Sequence, residues 1–372
     1  MRGSGSIHSM IHKPLFVMEQ TKLLKNLNKL TYLQEQSGIK ILHTLKSFNQ
    51  NEGLEIISKH LSGFSVGNSV ELEMIEPRKS QHTHSYAPFF SPNELENIAK
   101  YSTTMSFNSL QQWSDNASIA SQYSSIGLRI NPQLTIKQPK YCNPNYNNRL
   151  GVPYKIFLEN IRNPETFTHL EGLHFHAFCG QGLDGLKYLL AHISKEYSNL
   201  LPRLKWLNLG GGHNFTNNSY DSEGFIALIN AFKSKNPHLV LIFEPGESVI
   251  KNTGYFRTTI LDIIPSFHIN NKKATKAQQL NTVILNTSIE THLLDIAITK
   301  QTPRVRGSTQ HKTPYLYQLS GMSCIAGDII GTYYFEKPLE IGENIIFEDM
   351  MGYTMVKQTE FNGIKKAEFL LV

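Results

Sequence analysis

Four apolar runs in this chain each end in residues able to do chemistry. Ile39–Leu45 runs into Lys46, and Gly172–Phe175 into His176, with Cys179 just beyond. Leu204–Leu209 runs into Gly210-Gly211-Gly212-His213, and Leu239–Phe243 into Glu244-Pro245-Gly246-Glu247. A lysine held at a strand end can form a Schiff base with an aldehyde. Three consecutive glycines let the backbone approach an anion and turn several N–H groups toward it, which suits a single phosphate. The run matches neither GxxxxGK[ST] nor GxGxxG, so it indicates neither a nucleotide P-loop nor a dinucleotide fold. A histidine can stack on a flat ring, and a glutamate can keep a ring nitrogen protonated. Each residue alone has an ordinary explanation: a solvated lysine, a structural histidine, a tight turn. Together they supply partners for an aldehyde, a phosphate, a flat ring and a basic nitrogen, the features of pyridoxal phosphate.

Lys46 and Glu244 are about 200 residues apart, so the fold must bring them together. In a parallel (β/α)8 barrel every strand opens on one face, and that face carries the site. From about residue 14 to 265 short apolar runs alternate with amphipathic stretches, the pattern of parallel strands with crossover helices. Predicted strands are Leu15–Met18, Ile39–Leu45, Gly63–Val66, Ile126–Asn131, Gly172–Phe175, Leu204–Leu209 and Leu239–Phe243. Predicted helices include Thr21–Gln36, with Leu23, Leu24, Leu27, Leu30 and Leu33 at helical spacing, and Leu183–Tyr197. The length suits an α/β, TIM-like barrel whose eighth strand is hidden near Tyr86 or Ser102–Phe107; a doubly wound sheet is the alternative.

After residue 265 the texture changes. Strand-like pieces at Thr282–Leu285, Tyr315–Leu319, Asp328–Phe335, Asn344–Phe347 and Gly352–Lys357 predict an antiparallel β domain. The expected organisation is a cloning scar over residues 1–9 with the natural chain starting near Met10, a barrel with the cofactor site over 10–265, and a β domain over 266–372. Residues 270–281 read as a solvated linker.

The chain has 372 residues and is 40% hydrophobic, enough for a sizeable core, and its low charge content of 18% argues against disorder. The net charge of +6 comes from scattered residues, densest only at Lys272, Lys273 and Lys276, which gives no reason to expect a nucleic-acid partner. No apolar stretch approaches a membrane span, and no secretory signal is visible. Cys142, Cys179 and Cys324 are too few and too dispersed for a disulfide framework or a zinc site, so no metal and a reducing cytoplasm are expected.

The segments GIKILHTLKSF (38–48), SVGNSVELEM (65–74), RLGVP (149–153), EGLHFHAFCG (171–180), LNLGGGH (207–213), FEPGE (243–247), GMSCIAGD (321–328) and YTMVKQTEFNG (353–363) carry a resemblance over nearly the whole chain. It resembles the fold-type III pyridoxal-phosphate decarboxylases, with an alanine-racemase-like barrel and a C-terminal β domain, and within them the carboxynorspermidine/carboxyspermidine decarboxylases. The resemblance implies that Lys46 bonds the cofactor, His176 stacks on its ring, Cys179 lies near its polar edge, Gly210, Gly211 and Gly212 cradle its phosphate, Glu244 pairs with the ring nitrogen, and Tyr353 reaches the phosphate. It further implies a homodimer with shared sites, in which Cys324 donates a proton after decarboxylation and Asp328 binds a substrate amine, both from the partner subunit.

A carboxylate on the ring nitrogen favours decarboxylation, whereas the family's racemases place an arginine there. Glu247 stands where diaminopimelate decarboxylases carry an arginine, and a glutamate attracts an ammonium and repels a carboxylate, which points to a polyamine substrate. Two departures stand out, and both bear on substrate length and catalytic vigour. Asn286 occupies a usual aspartate position, with a tolerated surface change as the ordinary alternative, and Thr291-His292-Leu293-Leu294-Asp295 replaces a Cys-His-Met-Pro-Asp run, keeping His292 and Asp295 as substrate-binding candidates. The expected activity is decarboxylation of carboxynorspermidine or carboxyspermidine. The alternatives are a related decarboxylase of diaminopimelate, ornithine or lysine, or a non-catalytic binding protein.

Overall fold

The computed structural model describes residues 13–75, 81–134, 148–161, 167–265 and 280–372. The proposed scar at 1–9, Cys142, the Lys272-Lys273-Lys276 cluster and residues 270–279 of the linker lie outside the described residues. The chain divides into two compact units, Leu24–Val249 on one side and Ile250–Val372 with the residues up to Leu23 on the other.

The first unit is a closed parallel barrel. Its strands are Lys40–Thr44, Gly63–Val66, His82–Tyr86, Thr104–Phe107, Ser125–Asn131, Gly172–Phe175, Trp206–Asn208 and Val240–Phe243, each paired with the next. Closure comes from Ile242 and Phe243 pairing with Lys40 and Ile41. Helices follow most strands, and their starts are locally encoded. Asn68 accepts from the Glu71 N–H at 2.9 Å, while the Glu71 carboxylate takes the Gly67 N–H at 2.7 Å, a reciprocal cap for Ser69–Met74. Asp221 caps Ser222–Lys235 through the Gly224 N–H at 2.8 Å.

Strand alternation sends every second residue into the barrel. Near its lower end Trp206 fills the interior with Leu42 and Ile242. Gly172 makes room for the indole, since a Cβ there would lie 2.0 Å from Trp206 Cε2. Trp206 Nε1 donates to Ser125 Oγ at 2.8 Å, which satisfies its one polar group. The next layer is polar: Thr44, Ser65, His84, Ser106, Arg129, His174, Asn208 and Glu244 are all buried. Barrel interiors are ordinarily filled by branched apolar residues, so this layer marks the functional end.

That polarity also hid two strands from the sequence reading. His82–Tyr86 (HTHSY) and Thr104–Phe107 (TMSF) turn hydrophilic side chains inward and lack the apolar signature of a buried strand. The two places offered for a single hidden strand, near Tyr86 and Ser102–Phe107, both hold barrel strands, since Leu15–Met18 belongs to the other unit. There it pairs antiparallel with Gly254–Ile264 and parallel with Glu368–Leu371.

The second unit's sheet runs in the order Ser308–Thr309, Ile329–Phe335, Tyr315–Ser320, Leu280–Leu285, Gly254–Ile264, Leu15–Met18, Glu368–Leu371, with Asn344–Glu348 also on Gly254–Ile264. It is mostly antiparallel, with a second parallel pairing between Leu280–Leu285 and Tyr315–Ser320. The strand expected over Gly352–Lys357 is instead a helical turn, Tyr353–Val356. Asn286 is buried, not a surface position: its Oδ1 accepts the Thr259 N–H at 2.7 Å, where the Gly254–Ile264 strand shifts register.

Candidate active site

Lys46 lies in the single turn Leu45–Ser47 that follows Lys40–Thr44. Its amine is accessible at the barrel mouth, yet the surrounding rim desolvates it, and burial lowers its pKa below the ordinary lysine value. Arg129 adds to that effect, while Glu244 and Glu71 oppose it. A lysine so placed is closer to its nucleophilic, neutral form than a surface lysine.

Glu244 follows Val240–Phe243 and is buried. Burial pushes its carboxyl above the usual range, and Asn208, Lys46, Ser65 and Arg129 pull it back. Its Oε1 has no hydrogen-bond partner. A buried acceptor left in this way costs about 1–3 kcal/mol, so its persistence needs an explanation. His84 Nε2 lies 3.9 Å from Oε1 and His174 Nε2 lies 3.6 Å from Oε2. Neither imidazole is a cation. Burial pushes His84 down to about 3, and burial with His84 and Arg129 holds His174 well below its ordinary value. Arg129, stacked 4.5 Å over the Tyr86 ring, is the fixed positive charge of the layer.

The glycine run is a turn that couples three strand ends. Gly210 and Gly212 have φ of +70° and +83°, which favours glycine. A Cβ on Gly211 would stand 2.4 Å from the Glu244 carbonyl. Gly210 N–H donates to Asn208 Oδ1 at 2.8 Å, and Gly211 N–H to His176 Nδ1 at 3.3 Å. Those two amides have partners within the fold. The bond from Gly211 fixes the half-buried His176 ring against the loop. Cys179 is disulfide-bonded, where the sequence predicts no disulfide framework and a reducing compartment.

Glu247 is exposed and opens the helical turn Glu247–Ile250. The remaining predicted residues lie in the second unit. Cys324 is a free, exposed thiol. Asp328 is not an open ligand: it is 3% exposed, its Oδ1 accepts the Ile289 N–H at 2.8 Å, and its Oδ2 accepts from the Ser323 N–H and hydroxyl at 3.1 and 2.6 Å. It ties down the loop that presents Cys324, whose own N–H is held by Asn362 Oδ1 at 3.0 Å. His292 is likewise a core residue. Thr287 Oγ1 is 2.9 Å from its Nδ1 and the Lys365 carbonyl 2.9 Å from its Nε2, leaving no ring nitrogen for a substrate. Asp295 is ion-paired with Lys357, whose ammonium also sits 5.3 Å from the Tyr353 ring centroid. Asp328, His292 and Asp295 thus hold the second unit together.

The sequence reading missed Arg129, His84, His174 and Asn208. The available signal was a polar residue at every second position of an otherwise apolar strand, as in GLHFH (172–176) and SIGLRIN (125–131).

No family model matches the chain. Its sequence is 34% identical over 378 residues to the carboxynorspermidine/carboxyspermidine decarboxylase of Campylobacter jejuni, covering 98% of this chain and 94% of that protein. It is 34% identical over 359 residues to the carboxyaminopropylagmatine decarboxylase of a Synechocystis species, covering 96% and 89%. The crystal structure of carboxynorspermidine decarboxylase from Campylobacter jejuni, complexed with norspermidine, superposes with a TM-score of 0.84 at 32% identity, covering 97% and 94%. Barrel, second sheet and site define a carboxy-lyase of the fold-type III decarboxylase class. Within that class, the chain belongs to the carboxynorspermidine/carboxyspermidine decarboxylase family.

The buried histidines make stability depend on pH. Burial pushes His82 and His84 down to about 3, and His43 and His213 to about 4. Each stays neutral in the fold while the unfolded chain protonates below about pH 6.5. Their contribution is therefore intact above pH 6.5 and lost as pH falls from there toward 4. Each histidine adds a slope of up to about 1.4 kcal/mol per pH unit. Urea unfolding of the cofactor-free protein should show a steep loss of stability between about pH 6.5 and pH 4. A flat profile there would contradict the burial of these histidines as neutral groups.

Proposed function

We propose that the barrel binds pyridoxal phosphate on Lys46 and that the protein decarboxylates carboxynorspermidine or carboxyspermidine to norspermidine or spermidine, as a homodimer with shared sites. The observation that carries this reading is the buried Glu244, with an unpartnered oxygen, acting electrostatically on an accessible lysine of lowered pKa. These are the two groups that a protonated ring nitrogen and an aldehyde require, so the residues fit the cofactor. When bound, the cofactor supplies an electron sink for the pair left on the substrate carbon as CO2 departs. Glu244 holds the ring nitrogen's proton, Lys46 anchors the aldehyde, and His176, fixed by Gly211, covers the ring.

By the resemblance, Tyr353 would reach the cofactor phosphate, Cys179 would lie near the cofactor's polar edge, and Cys324 would act from the other subunit. The free Cys324 thiol returns a proton to the carbon that lost CO2. Met322, Ile325 and Ile329, on and beside the Cys324 loop, are 47, 44 and 43% exposed, an apolar set that a second copy of the chain would cover. Subunit mixing tests the shared site. Inactive Lys46→Ala and Cys324→Ala proteins, once exchange is demonstrated, should together recover part of the wild-type rate. No recovery would exclude Cys324 acting across the dimer.

Glu247, exposed on the barrel unit, offers a carboxylate to the distal ammonium of the substrate. Glu247→Gln should raise KM for carboxynorspermidine and carboxyspermidine by about 10- to 100-fold, with little change in kcat, because a charge-assisted bond remote from the breaking bond is lost. Diaminopimelate should remain a poor substrate of the wild type. Unchanged kinetics in Glu247→Gln, or turnover of diaminopimelate at a comparable rate, would overturn the polyamine assignment.

A further inference from the structure

The two oxygens of Glu244 face two different imidazoles. His84, on the Oε1 side, is already engaged, with Nδ1 2.8 Å from Thr104 Oγ1 and Nε2 3.1 Å from Ser106 Oγ. His174, on the Oε2 side, is 1% exposed, and neither of its ring nitrogens has a hydrogen-bond partner. Its ring is gripped edge-on by His84 at 5.2 Å and by Tyr86 at 5.1 Å. A neutral imidazole has one N–H. The carboxylate beside Nε2 selects the form with the proton there, because the other form would set a lone pair against a negative charge. The present 3.6 Å from Nε2 to Oε2 becomes a hydrogen bond with a side-chain shift of about 0.8 Å.

We propose that His174 is a positioning residue for Glu244: its Nε2–H holds Oε2 and so turns the unpartnered Oε1 toward the ring nitrogen of the bound cofactor. This rests on the cofactor reading above. The other groups around the carboxylate sit on different elements: Lys46 after Lys40–Thr44, Ser65 on Gly63–Val66, His84 on His82–Tyr86, Arg129 on Ser125–Asn131 and Asn208 on Trp206–Asn208. Lys46 and Arg129 supply charge, and Ser65 and Asn208 supply neutral polar groups. A ring of similar shape at position 174 keeps the packing against His84 and Tyr86 and removes the Nε2–H, so it isolates one contact.

The test compares pyridoxal phosphate with its 1-deaza analogue, in which the ring nitrogen is replaced by C–H. Equilibrium binding of each to the cofactor-free protein, followed by absorbance, gives a preference ratio that reports the Glu244–nitrogen contact without any turnover. In His174→Phe, which keeps the ring shape but has no donor, the preference for the natural cofactor should fall roughly tenfold. In His174→Gln, whose amide reaches the same place, it should be kept. Thermal melts check that each variant folds. If His174→Phe does not, His174→Asn, whose shorter amide falls short of Oε2, is read instead and should show the same loss. An undiminished preference in the folded Phe or Asn variant would overturn the proposal. If the wild-type protein binds neither compound, the cofactor reading fails, and this proposal with it.

Discussion

A carboxylate held inside a barrel, with one oxygen lacking any hydrogen-bond partner, is the feature around which the molecule is arranged. Taking such a group out of water is unfavourable unless charge and hydrogen bonds answer it. The barrel answers from every side. Arg129 provides a permanent cation, Lys46 a second one of lowered pKa, and His84 and His174 stand as neutral imidazoles because burial forbids their protonation. The histidines therefore meet the carboxylate as neutral hydrogen-bonding groups, and the charge that favours its ionised form comes from Arg129 and Lys46.

The rest of the barrel makes this polar layer tolerable. Trp206, Leu42 and Ile242 form an apolar plug below it, and the helices bury Leu23, Leu27, Leu30, Leu33, Leu186, Leu189 and Ile193 outside it. Several polar atoms in or beside the layer remain unpartnered, including both nitrogens of His174 and of His213 and the amide nitrogen of Asn208. Native interiors rarely leave such groups unsatisfied, and they concentrate where a ligand completes them. The second unit follows the opposite rule. Asp328, His292 and Asp295 have their bonds made within it, and the result is a fixed loop that presents the Cys324 thiol to the outside.

How legible this was in the sequence depended on the kind of signal. Lys46, His176, the glycine run and Glu244 each terminate an apolar run, and a change from apolar to polar at a strand end is visible without any structure. Arg129 and His174 lie within strands and alternate with apolar neighbours, while His84 sits between Thr83 and Ser85 in a strand with little apolar character. A search for apolar runs passes over them, and for the same reason it offered His82–Tyr86 and Thr104–Phe107 only as alternative places for one hidden strand. Leu15–Met18 illustrates the converse. A four-residue apolar run reads the same in a barrel or in a mixed sheet, and only its pairing with Gly254–Ile264 and Glu368–Leu371 decides between them. Asp328 and His292 are visible as notable residues from their types alone, but the hydrogen bonds they make within the second unit are not, because residue type does not reveal which neighbours the fold brings to them.

The account turns on Glu244 remaining ionised beside a protonated ring nitrogen. Nitrogen-15 NMR of the protein reconstituted with ring-labelled pyridoxal phosphate observes that proton directly. A protonated-pyridine shift in the wild type at neutral and mildly alkaline pH, replaced by a neutral-pyridine shift in Glu244→Gln, is the predicted result. A neutral ring nitrogen in the wild-type protein would contradict the account.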